Sequence, residues 1–274
     1  MNTRTRILAA LMGSTILAGA AFAQGGSDMS LATAAKQGDR AALQTLLKGA
    51  PKKDVMGADG TDALVWAATR NDSAMADLLL RAGATAKAAN EFGATALYAA
   101  AEHADPAMTV KLLAAGADPN KPLMSGETPL MMASKRGNVE TVKALLAAGA
   151  NPNVQESMAG QTALMWAISG HQAPVVDELV KHGANVELAS KSGFTPLMFA
   201  AQQGDVDSGR ILLRAGANAN EAQPKSGVTP LLIASAMGNV KAVDLLLDNE
   251  ADPNGVDTNG YAPLHKAVLL RLGR

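Results

Sequence analysis

Residues Gly126–Asn153 read G-E-T-P-L-M-M-A-S-K-R-G-N-V-E-T-V-K-A-L-L-A-A-G-A-N-P-N. The order is helix, tight turn, helix, tight turn. Thr128 followed by Pro129 is an N-cap and a first-turn proline, where the missing N–H costs nothing. A short apolar helix then runs through Leu130 and Ala133. Gly137 supplies a positive-φ stop, and Asn138 opens the next helix. Val139, Val142, Leu145 and Leu146 recur at helical spacing on one face, and Gly149 closes the segment. Neither helix is long enough to stand alone in water, so each must bury its apolar face against similar units.

Those units are present. Taking Leu130 as marker, its equivalents are Leu64, Leu97, Leu164, Leu197, Leu231 and Leu264, separated in chain order by 33, 33, 34, 33, 34 and 33 residues. A glycine precedes every marker by four positions, from Gly60 to Gly260, and an alanine follows by three, from Ala67 to Ala267. The glycine closing the second helix recurs as Gly83, Gly116, Gly149, Gly183 and Gly216, and Glu250 takes its place once.

A period near 33 carrying G-E-T-P-L, G-F-T-P-L and G-V-T-P-L, with endings A-G-A-D-P-N and A-G-A-N-P-N, resembles the ankyrin repeat family. The resemblance covers roughly residues 30 to 274. It implies an all-α solenoid of helix–turn–helix units joined by finger loops. We expect an N-terminal cap over 30–50 and six repeats over 51–84, 85–117, 118–150, 151–184, 185–217 and 218–251. An incomplete seventh occupies 252–274. Val268, Leu269, Leu270 and Leu272 then lack an outer helix, which predicts weak end-to-end self-association.

The N-terminus reads differently. Arg4 and Arg6 precede an apolar run from Ile7 to Ala20, and Ala21-Phe22-Ala23 forms an A-x-A cleavage pattern. The run is short for a transmembrane helix. Residues 1–23 are therefore expected to be a signal peptide cut after Ala23, with 24–29 a disordered leader. The protein is then exported, periplasmic or secreted.

The chain has no cysteine, so disulfides, zinc–thiolate sites and thiol chemistry are excluded. A formal charge of −1 gives no footing for nucleic acid, and the basic pair Lys135-Arg136 is not extended by a second cluster. No membrane partner is expected after signal cleavage. His103, His171, His182 and His265 are dispersed, and His171 and His182 fall at opposite ends of one helix. Asp118-Pro119-Asn120, Asn151-Pro152-Asn153 and Asp252-Pro253-Asn254 could be taken for oxygen-ligand sets. Their composition is that of turns, because Asx side chains bond nearby backbone and proline sets φ. Neither a catalytic constellation nor a metal or cofactor site is expected.

The resemblance adds expectations about packing and binding. His265 stands where the family's T-P-L-H histidine bonds neighbouring loops; the other repeats carry Val65, Tyr98, Met131, Met165, Met198 and Leu232, implying loops held more by apolar contact. Trp66 and Trp166 are expected to pack between inner helices. Partners of ankyrin folds bind the concave face of finger tips and inner-helix ends. By register this face includes Phe92, Met124, Glu127, Met158, Gln161, Phe194, Gln202, Val228 and Tyr261, and its aromatic and methionine side chains are of the kind favoured as interface anchors. The implied function is a non-enzymatic protein-binding scaffold or adaptor. The alternatives are an immunity or inhibitor protein against a toxin or hydrolase and, with no nucleophile–base pair to support it, a hydrolase.

Overall fold

The structure is a computed structural model that describes residues 30–49, 63–90 and 92–272. The expected signal peptide, its cleavage position and the leader lie outside these residues. All regular elements among the described residues are α-helices. In chain order they are α1 (Leu31–Gln37), α2 (Arg40–Gly49), α3 (Ala63–Thr69), α4 (Ser73–Arg81), α5 (Ala96–Glu102), α6 (Pro106–Ala114), α7 (Pro129–Arg136) and α8 (Val139–Ala147). Then follow α9 (Ala163–Ser169), α10 (Ala173–Lys181), α11 (Pro196–Gln203), α12 (Val206–Arg214), α13 (Pro230–Met237), α14 (Val240–Leu247) and α15 (Pro263–Leu272). None is long and apolar enough to cross a membrane.

Contacts divide the described residues into two compact units, one reaching residue 100 and including 111–118, the other made of residues 101–110 and those from 119 onward. In the first, α1 packs on α2 and on α3, and α3 packs on α4. Leu31, Ala34, Leu43, Leu64, Met75 and Leu79 form its core. Asp72 caps α4 by accepting the Met75 N–H at 2.9 Å. Burial pushes its carboxyl up, but the Arg40 guanidinium at 2.8 Å and that N–H outweigh the effect and hold it below its ordinary value.

The second unit is a two-layer stack. Helices α7, α9, α11, α13 and α15 pack in sequence as an inner layer, and α8, α10, α12 and α14 pack in sequence as an outer one. Each inner helix but the last also packs on the outer helix that follows it. This is the ankyrin-repeat solenoid architecture that the period implies. The core is built from short side chains because adjacent inner helices approach through alanines: Ala133, Ala167, Ala200 and Ala234 are all fully buried. Paired apolar residues such as Leu145 and Leu146, or Val175 and Val176, hold the outer layer.

The helix starts are alike for one reason. Thr128, Thr162, Thr195 and Thr229 have extended backbones and accept a backbone N–H three residues on, and a proline at the first position follows three of the four. The helix stops are more varied than the sequence suggests. Gly137, Gly204 and Gly238 close inner helices at φ of 82°, 67° and 73°. The same register carries Ala104 and His171 at φ 54° and 55°, in left-handed geometry without glycine's freedom. Glu250 does likewise at φ 64°, where the outer helices otherwise end in glycine.

Two expectations about the last unit change. His265 does not reach a neighbouring loop: its Nδ1 accepts the Ala262 N–H at 3.1 Å, at the start of its own helix. Met131 occupies the same register, and its sulfur takes the equivalent Thr128 N–H at 3.5 Å. In these two repeats the residue after the marker leucine thus caps its own helix. Leu270 is also not unpartnered, since it is half-buried and its tip lies over Gly238, the residue that closes α13. The exposed side of α15 is instead Leu264, Val268 and Leu269. Leu264 is 73% exposed where Leu130, Leu164, Leu197 and Leu231 are buried, because among the described residues no outer helix packs on α15.

Candidate protein-binding surface

The loops between outer and inner helices in the second unit are tied tip to tip. The Ser157 N–H donates to the Ser125 carbonyl at 2.9 Å, and the Lys191 N–H donates to the Ala159 carbonyl at 2.9 Å. The Gln223 side-chain amide donates to the Ser192 carbonyl at 2.5 Å. The Thr258 N–H closes the series on the Ser226 carbonyl at 2.9 Å. Each loop is also held from within. The buried Glu156 carboxylate accepts the N–H groups of Met158, Ala159 and Gln161 at 2.6–2.9 Å. Ser190 accepts the Phe194 N–H at 3.2 Å, and Asp257 accepts those of Asn259 and Tyr261 at 2.9 and 3.0 Å. The Lys266 ammonium lies 2.7 Å from Asp257 and, with the backbone donors, keeps that carboxyl below its ordinary value.

A second ladder runs along the bases of the loops. Asn120 Nδ2 donates to the Gly149 carbonyl at 2.8 Å, while its Oδ1 accepts the Asn151 N–H. Asn153 repeats this with Gly183 and Asn185, and Asn220 with Glu250 and Asp252. Each asparagine thus spans one repeat to the next. Glu187 stands in the same register, and its carboxylate accepts the Asn218 N–H but has no proton to donate. Two of the three motifs read as turns show it directly: Asn151 and Asp252 accept N–H groups two residues on, and Asn218 of Asn218-Ala219-Asn220 does the same. The bridging role of the last asparagine was missed, although its recurrence after G-A-D-P, G-A-N-P and G-A-N-A was visible.

Rigid loops and inner-helix ends display the residues singled out by register. In the second unit Met124 is 77% exposed, Met158 61% and Tyr261 40%. Met237 and Gln202 are exposed at the ends of α13 and α11. Glu127, Gln161, Val228 and Phe194 are half-buried. Phe194 is partly covered because its ring packs edge-on against Phe199, with centroids 5.9 Å apart. Lys266 lies over the Tyr261 ring at 4.6 Å, and the ring of His265 meets its edge at 6.4 Å. In the first unit Phe92 is exposed at a loop tip, its N–H held by Asn90; Glu91 lies outside the described residues. Trp166 is buried as expected, and Lys135 from α7 covers its ring at 5.4 Å.

The described residues contain no group of three His, Asp or Glu able to hold a metal ion. The apolar cleft lined by Leu197, Ala200, Leu245 and Leu246 has one carboxylate, Asp205. That group is occupied by the backbone and hydroxyl of Ser208, as the cap of α12.

Comparison with known proteins gives the same architecture. The E3 ubiquitin-protein ligase KEG of Arabidopsis thaliana is 31% identical over 111 residues, 40% of this chain and 7% of that protein. Ankyrin repeat and KH domain-containing protein 1 of Homo sapiens is 48% identical over 59 residues, 22% of this chain and 2% of that protein. The chain therefore spans only a small part of these relatives. Among solved structures, the ankyrin repeat domain of Bcl-3, a member of the IkappaB family, superposes with a TM-score of 0.69 at 27% identity. The match covers 82% of this chain and all of that domain. The ankyrin repeat is a protein-interaction fold. The family model for ankyrin repeats matches residues 31–123, 104–190, 130–223 and 197–273, and with the paired helices and tied loops just described this means that the chain belongs to the ankyrin repeat family.

Proposed function

We propose that the protein is a non-enzymatic scaffold or adaptor that acts after export and binds another protein through the loop tips and inner-helix ends of its second unit. The observation that carries this reading is the exposure of Met124, Met158 and Tyr261 on loops already hydrogen-bonded to one another. Exposed apolar side chains lose water on contact, and a preformed surface loses little conformational entropy when it binds. Phe92 offers an equivalent anchor on the first unit.

Affinity capture from envelope extract tests the surface. Met124→Asp with Met158→Asp should abolish recovery of the partner, while Glu140→Lys on the outer helix α8 leaves it intact. Loss caused by Glu140→Lys alone would place binding elsewhere. Export is supported by Ala21-Phe22-Ala23 after a short apolar run. Mass spectrometry of the exported chain should find Gln24 as its first residue; an intact Met1 in that fraction would defeat the proposal.

A further inference from the structure

The tip residues of successive loops form two columns whose chemistry changes along the second unit. Six positions before each marker leucine stand Met124, Met158, Lys191, Lys225 and Thr258. Three positions before it stand Glu127, Gln161, Phe194, Val228 and Tyr261. The outer column goes from two exposed methionines to two exposed lysines, and the inner column from polar to apolar. The apolar strip therefore runs diagonally, from Met124 and Met158 across to Phe194 and Val228, and the lysines flank its second half.

The two lysines of this edge carry charge that no carboxylate among the described residues neutralises. Two carboxylates nearby are consumed by the fold: Glu156 by three N–H groups, and Asp257 by two N–H groups and Lys266. At the inner-helix ends Glu102 is engaged by Arg136 at 3.5 Å. Among the described residues no carboxylate lies within ion-pair distance of Lys191 or Lys225. The Lys191 ammonium rests on the Ser157 carbonyl, a contact that places the cation without neutralising it.

Resting on the protein-binding role proposed above, we infer that the partner of this edge is an extended polypeptide segment with apolar side chains toward Met124 and Met158 and acidic side chains toward Lys191 and Lys225. Adjacent helices pack about 8–10 Å apart, and an extended chain advances about 3.3–3.6 Å per residue. One repeat therefore corresponds to roughly three residues of ligand, and the four outer positions to roughly ten. The segment carries two apolar residues about three apart, then two acids at the same spacing with further apolar residues between them. A basic segment would bring like charges onto Lys191 and Lys225, while the exposed carboxylates of the same loops, Glu187 and Glu221, are bonded to Asn218 rather than to either lysine.

The test uses the full mature chain and a displayed library of random dodecapeptides, selected in parallel on wild type, on Lys191→Glu with Lys225→Glu, and on Met124→Ala with Met158→Ala. Wild type should enrich peptides combining Asp or Glu with apolar residues. The charge-reversed variant should bind the selected acidic peptides about tenfold more weakly or worse and enrich Lys or Arg instead. Raising the salt concentration should weaken the wild-type complexes. A wild-type pool without acidic enrichment, or one unchanged on the charge-reversed variant, overturns the inference. If such a pool still fails on the methionine variant, the binding surface stands and only the charge assignment falls. If no enriched peptide depends on either pair, both readings fall. Circular dichroism of each variant, expected to match wild type, keeps a folding defect from passing for a binding one.

Discussion

At the scale of single residues, this protein tolerates left-handed backbone where its repeat normally uses glycine. Ala104, His171 and Glu250 all have φ between 54° and 64°. Such geometry costs a residue with a Cβ about 1–2 kcal/mol, and glycine's greater freedom in the unfolded chain offsets about 0.4–1 kcal/mol of any gain. Ala104→Gly should therefore stabilise by about 0.5–1 kcal/mol, read as a higher urea midpoint. Asp257 gives a prediction in pH. Its carboxyl is held below the ordinary value by Lys266 and by backbone donors. Its contribution is thus fully present above the unfolded-state value and is lost as pH falls through the lower folded value. Asp257→Asn should lower the urea midpoint at neutral pH, and its gap from wild type should narrow as pH falls through that range. An unchanged gap would remove the ion pair from the account. The substitution at Glu250 could be read from its break in the glycine register. The sign of φ at Ala104 and His171 could not, because it is imposed by the helices packed on both sides of the turn.

At the scale of elements, the outer helices depend on a few buried side chains and on the asparagine bridges. Leu145 of α8 is fully buried, so Leu145→Ala should cost about 2–5 kcal/mol through lost burial and the cavity left behind. Denaturant unfolding measures it, and an unchanged midpoint would contradict the packing. Gly149 behaves differently: nothing lies within 4 Å of where its Cβ would be, but its φ is 88°. Gly149→Val should therefore destabilise through the backbone alone, and Gly149→Asn should destabilise less, since asparagine visits that region more readily. The bridges give a gain-of-stability test. Glu187 accepts one N–H where Asn120, Asn153 and Asn220 each bond two groups. Glu187→Asn should restore the missing donor bond and add about 0.5–1.5 kcal/mol, while Asn153→Ala should lose a comparable amount or more. Helix starts at Thr-Pro and most helix ends at glycine were legible in the sequence because caps are local devices. The bridges were not, because an asparagine side chain shows its second partner only when the next repeat is placed beside it.

At the scale of the whole molecule, stability in a repeat array is roughly a sum of unit terms and neighbour interfaces. Helix α15 packs on α13, no outer helix packs on it among the described residues, and Leu264 and Leu269 face solvent. Amide hydrogens beyond about Asn249 should therefore exchange well before those of α7 to α10, as measured by mass spectrometry of quenched samples. Equal protection at both places would show that α15 is held by something other than α13. Family and helix order follow from the sequence alone, since a period of 33 or 34 residues repeats the same local cap, apolar face and stop. The same register picked out Met124, Met158 and Tyr261 as surface positions, and these three side chains are exposed. Tertiary structure decided what register cannot express. Phe194 is half-buried because Phe199 lies beside it, His265 turns back on its own helix, and Glu156 and Asp257 are spent inside their loops while Lys191 and Lys225 remain exposed. Local order is set by residues a few positions apart and is written in the chain. Exposure and charge balance depend on groups some thirty residues distant, and these meet only when one repeat is stacked on the next.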